Sequence, residues 1–150
     1  MFKHILIPTD GSKLSTAALH AGMRLAKEQG AQVTALYVMP DYSAMIYGAE
    51  ALMAYNAAEF NQSAHKDADK VLQAALEIAQ AEGVACRPAR VTNVSIHQAI
   101  IQEAQEGHCD LICMASHGRK GIAGILLGSE TQRVLVNSSI PVLVHRQTKA

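Results

Sequence analysis

Five short apolar runs, spaced by longer segments of helical period, leave this chain few folds to choose from. Residues 2–8, 33–38, 85–91, 111–115 and 141–145 read as strands. The first two are apolar on both faces, which suits a sheet covered by helices on both sides. Between them, residues 12–30 carry Leu14, Ala17, Ala18, Ala21, Leu25 and Ala26 at helical spacing. The same period runs from about residue 57 to 82, from 95 to 106, where Ser95 is the expected cap, and from 129 to 137. Gly30, Gly83 and Gly107 stand where the first three helices should close. Strands that alternate with helices must run parallel through right-handed crossovers, giving an α/β fold of three layers. Pro88 argues for an edge position of the third strand. Residues 39–55, with Pro40 and several tyrosines and methionines, read as a long loop or the start of a helix. No composition shift marks an internal boundary, so residues 1–150 are expected to form one domain.

Charge and cysteine usage narrow the function classes. Thirteen basic and thirteen acidic residues give zero formal charge, which argues against a nucleic-acid or anionic-membrane partner. No apolar run approaches the roughly 20 residues of a membrane helix, and the first residues read as a strand rather than a signal peptide. Cys86, Cys109 and Cys113 are odd in number and lack paired spacing, which fits free thiols in a reducing cytoplasm and argues against zinc.

In an open parallel sheet, ligands bind beyond the carboxyl ends of the strands, where strand order reverses. Two such ends carry chemistry here: Pro8-Thr9-Asp10-Gly11-Ser12, and Met114-Ala115-Ser116-His117-Gly118 with Gly128-Ser129 opening the following helix. Ser129 and Gln132 have the spacing of a capping box, so Ser129 has a purely structural reading. The same helix start has a second reading, an anion site of unpaired N–H groups, with Gly118 and Gly128 admitting a phosphate close to the backbone. A Walker A loop is excluded because no lysine separates Gly128 from Ser129, and Asp10-Gly11-Ser12 does not supply a dinucleotide fingerprint. A phospho-accepting receiver domain would want a carboxylate after the third strand and a lysine after the fifth. Thr92-Asn93 and His145-Arg146 stand there instead.

Ala115, two residues, Gly118, nine residues, then Gly128-Ser129 resembles the glycine, two residues, glycine, nine residues, glycine, Ser/Thr signature of the universal stress protein family. The stretches HILIPTDGS and IPVLVHR resemble that family's first and last strands, so the likeness spans the chain. The resemblance implies a single Rossmann-like sheet of five parallel strands in the order 3-2-1-4-5 with four helices. It implies an adenine nucleotide, ATP first, with AMP or ADP as alternatives; Asp10 is of the right chemistry to hold a magnesium through water, with no second dedicated carboxylate beside it. Carried over by position, Pro8, Thr9 and Asp10 meet the adenine and ribose side, and Val38 presents backbone groups to the base. Met114, Ala115, Ser116, His117, Gly118, Arg119, Gly128, Ser129 and Glu130 complete the nucleotide site; Arg119 and Lys120 either reach the phosphates as mobile charges or are solvated loop charges. The family also implies a homodimer through the last strand, Val142 to Val144. Three functions stay open: a cytoplasmic nucleotide-responsive binding module, a slow ATPase or phosphotransferase in the same pocket, and a dimeric stress protein without nucleotide.

One position departs from the signature: Ala115 replaces its first glycine. If the backbone is extended there, alanine adds only a methyl group; at positive φ it would cost about 1 kcal/mol.

Overall fold

A strand with apolar side chains on both faces needs a helix against each, and the computed structural model meets that requirement. It describes residues 1–41, 50–118 and 127–147, with only the backbone at 40 and 50–57. The order is β1 (His4–Pro8), α1 (Lys13–Gln29), β2 (Gln32–Pro40), α2 (Glu50–Glu82), β3 (Cys86–Asn93), α3 (Ile96–Glu106), β4 (Leu111–Ala115), α4 (Ser129–Asn137) and β5 (Val142–His145). All pairings are parallel, and the sheet runs β3-β2-β1-β4-β5. Alternation along β1 splits the core in two. Ile5 and Ile7 pack with Leu19 and Met23 of α1 and Leu72 and Ala75 of α2. Leu6, on the other face, packs with Ile100 of α3 and Val134 of α4. Gly22 brings α1 onto the sheet: a Cβ there would lie 2.5 Å from Ile7 Cδ1 and 3.3 Å from Cys113 Sγ. Burial pushes the Cys113 thiol up to about 11, so it packs as a small apolar group.

Helices α1 and α2 end as expected, with Gly30 (φ 66°) and Gly83 (φ 74°) left-handed. Helix α3 differs. Gly107 stays right-handed at φ −80°, and His108, at φ 54°, takes the left-handed position. The N–H groups of His108 and Cys109 then return to the carbonyls of Gln105 and Ala104, the Schellman pattern shifted by one residue from the glycine. Ser95 is the N-cap residue of α3 by position, but its side chain makes no capping bond. Its hydroxyl instead meets His97 Nδ1 at 3.1 Å.

Of the two readings of residues 39–55, the helix start holds at the far end and the loop is corrected at the near end. Met39 and Pro40 extend β2 against Thr92 and Asn93 of β3, and α2 begins at Glu50; residues 42–49 lie outside the described ones. β3 is at the edge, with Pro88 opposite Ala35.

Candidate functional site

The connections from β1 and β4 leave toward opposite edges of the sheet, so their adjacent carboxyl ends form the switch point of the fold. A cleft of about 440 Å³ opens there, within the usual range for small-molecule sites.

The β1 side is a polar turn that satisfies itself. Thr9 N–H continues the ladder to Leu36 O at 2.8 Å. Gly11 turns the chain at φ 79°, and Asp10 Oδ1 accepts from Ser12 N–H at 2.9 Å. Ser12 caps α1 by accepting from Ser15 N–H, while Ser15 Oγ reaches Ser12 O at 3.1 Å and Thr9 Oγ1 at 3.3 Å. These bonds fix the turn that carries Asp10 at the cleft wall.

On the β4 side, Ala115 is the last strand residue, buried and in register with His145. Its φ is not positive, and its carbonyl accepts from Thr131 Oγ1 at 3.0 Å. The extended alternative therefore holds, and alanine adds only a methyl group to the wall. Ser116 turns away from the cleft: its N–H donates to His145 O, its carbonyl accepts from Gly128 N–H at 2.7 Å, and its Oγ meets His117 Nδ1.

Both signature glycines have a packing reason of their own. A Cβ at position 128 would stand 2.8 Å from His117 Cβ, and one at 118 would stand 2.8 Å from Asp10 Oδ2. The space is taken by His117 and Asp10, so the glycines close the cleft walls on each other. The capping-box reading of Ser129 is corrected as well. Gly128 is the N-cap residue (φ −69°, ψ 159°) with no side-chain capping bond, and Ser129 is the first helical residue. Gln132 sends its side-chain amide to Leu127 O instead. The start of α4 thus keeps backbone N–H groups that no capping side chain occupies, at the edge of the cleft.

Of the residues expected from sequence, Pro8, Thr9, Asp10, Val38, Met114, Ala115, His117, Gly118, Gly128, Ser129 and Glu130 line the cleft. Ser116 stands behind its wall, and Arg119, like Lys120, lies outside the described residues. Ser15, Leu36, Ile96, Ile100 and Thr131 also line it and were not expected as site residues. Ile96 and Ile100 are one helical turn apart on α3, and that i, i+4 pair was the available signal. Ile96 is 44% exposed. With Leu36, Val38 and Met114 these side chains make the apolar part of the lining, which the Asp10 turn and the α4 start complete with polar groups.

Glu130 ties two walls together. Its Oε2 accepts from His97 N–H at 2.9 Å, occupying a donor in the first turn of α3, and its Oε1 accepts from Arg133 Nη1 at 2.6 Å. Among the described residues no group of three or more His, Cys, Asp or Glu side chains is placed to hold a metal.

A mostly apolar cleft with a helix start among its lining suits an apolar ring joined to an anionic group. A model of the universal stress protein family matches residues 1–146. Universal stress protein MJ0531 of Methanocaldococcus jannaschii is 33% identical over 99% of this chain and 85% of its own length. Universal stress protein YxiE of Bacillus subtilis is 31% identical over 97% of this chain and 100% of its own. Among solved structures, the universal stress protein UspA of Lactobacillus plantarum superposes with a TM-score of 0.80 at 25% identity, covering 96% of this chain and 97% of that one.

Proposed function

This chain belongs to the universal stress protein family, and on that premise we propose that it binds an adenine nucleotide at the β1–β4 switch point. ATP is the first candidate, with AMP and ADP as alternatives. The observation that carries the reading is the start of α4, which offers backbone N–H groups in a mostly apolar cleft and has no side-chain cap of its own. Two proteins of the same fold, at 23% and 16% identity, are described in complex with cAMP and dAMP.

In this reading Val38, Leu36, Ile96 and Ile100 enclose the base, and the turn at Asp10 faces the sugar. Ser129 and the amides that follow Gly128 receive the phosphates, joined by Arg119. Magnesium, when bound, supplies charge neutralisation, with Asp10 the carboxylate nearest the glycine wall. The protein works as a nucleotide-responsive stress module in the cytoplasm rather than as an efficient enzyme. A copy pairs with it along β5.

The test is mass spectrometry of supernatant from natively purified, then denatured, protein, followed by calorimetry of the emptied chain. Released adenine nucleotide, or saturable binding below millimolar concentration, is the expected result. No release and no binding of ATP, ADP or AMP at millimolar concentration would overturn the reading.

A further inference from the structure

We infer that Glu130 sets the charge preference of this site, holding back nucleotides with more phosphate charge; the inference rests on the adenine-nucleotide reading above. Glu130 is the second residue of α4 and lines the cleft beside Ser129, on the same helix start that offers N–H groups to an anion. Its carboxylate is not free to swing away. Oε2 is fixed on His97 N–H at 2.9 Å, with His97 Nδ1 at 3.4 Å, so moving it would strip a donor at the start of α3. Oε1 is paired to Arg133, whose side chain is 55% exposed, so water and salt weaken the neutralisation it supplies. Among the described residues the cleft lining includes two carboxylates, Asp10 and Glu130, and no lysine or arginine; the Arg119 that the proposed function brings to the phosphates offsets part of this charge without removing the carboxylate at the start of α4. A fixed carboxylate at the mouth costs a ligand more for every negative charge it brings, and magnesium lessens that cost by masking the phosphates. The helix start and the carboxylate thus act against each other: one draws in an anion, the other limits how much charge it carries.

Glu130→Gln isolates the charge, because the amide oxygen still accepts from His97 N–H. Binding of AMP and of ATP to the full chain is measured by calorimetry at one ionic strength, without and with excess magnesium. The expected result is that Glu130→Gln tightens magnesium-free ATP about tenfold and AMP about twofold, with the difference shrinking in magnesium. Arg133→Gln, which removes the neutralising partner, should shift the ATP-to-AMP ratio the opposite way. An ATP-to-AMP ratio left unchanged by both substitutions, in chains that still bind, overturns the role of Glu130 alone. Absence of any adenine nucleotide binding by the natural chain and by Glu130→Gln overturns the site and this inference with it.

Discussion

A methyl group at position 128 would stand 2.8 Å from His117 Cβ and 3.1 Å from His117 Cα, so backbone would have to move. At position 118 the conflict is with Asp10 Oδ2, the end of a side chain that can rotate. The two substitutions therefore part company. Gly128→Ala should cost about 2 kcal/mol in urea denaturation, the scale of overpacking, and abolish nucleotide binding with the Ser116–Gly128 closure. Gly118→Ala should cost about 0.5 kcal/mol or less, yet weaken binding by displacing Asp10. Equal stability losses in the two variants would refute this account of the glycines. His108 offers the converse case. A residue with a Cβ held at φ 54° is strained, so His108→Gly should raise stability by about 1 kcal/mol, read as a higher urea midpoint at unchanged slope. The spacing in the sequence marked Gly118 and Gly128 as special, but what fills the missing Cβ space comes from other parts of the chain. Nothing in residues 115–129 names Asp10 as the neighbour.

At the scale of elements, the same distinction separates what the sequence showed from what it hid. Both β1 and β4 announce themselves by apolar runs, and the helix stripes by their period. The pattern therefore yields the layers, and the family resemblance yields the strand order. Met39 and Pro40 were hidden because Pro40 reads as a break that ends the apolar run, while pairing with Thr92 and Asn93 carries the strand through it. The Schellman close of α3 was misplaced by one residue because Gly107 sits next to the position that requires a left-handed turn. The amino ends of β1 and β4 were not legible either. There Asp110 accepts from Lys3 N–H at 2.9 Å and His4 N–H at 3.0 Å, while His4 Nε2 meets Thr34 Oγ1 at 2.7 Å. Desolvation pushes the Asp110 carboxyl upward, but the N–H groups of Lys3 and His4 outweigh it and hold the group below its ordinary 3.8. Burial lowers His4 from 6.5 against the pull of the Gly107 carbonyl. Both folded values are depressed, so the unfolded chain binds more protons and stability rises with pH. The His4 contribution is complete above pH 6.5 and is lost as pH falls through its lowered folded value; that of Asp110 follows below 3.8. Urea midpoints should therefore climb as pH rises toward 6.5, and His4→Gln should flatten that climb while leaving the loss below 3.8. A slope that survives His4→Gln would assign it elsewhere.

For the whole molecule, the open question is what lies along β5. Ile112 and Ser116 donate to the carbonyls of Pro141 and His145, so odd-numbered residues of this stretch face β4. By the alternation of a parallel ladder, the N–H and C=O groups of Val142 and Val144 point outward from the sheet edge. The elements here also keep apolar surface in solvent: Leu143 is 39% exposed and Val136, on α4, 81%. A second copy related by a two-fold axis pairs the same groups with themselves, and no other subunit is needed to close the assembly. Such a dimer leaves the β1–β4 cleft open, since β5 lies beyond β4. Nucleotide binding and pairing are then separable, and one substitution tests the separation. Val144→Pro removes an outward N–H without touching one that bonds to β4, which an edge strand tolerates. Light scattering on a sizing column should give twice the chain mass for the natural protein and the single mass for Val144→Pro. Circular dichroism and nucleotide affinity should match in the two. A natural chain that is monomeric at tens of micromolar would remove the β5 pairing. A monomeric variant that has also lost nucleotide would mean that the partner copy supports the cleft, because the substitution lies outside it.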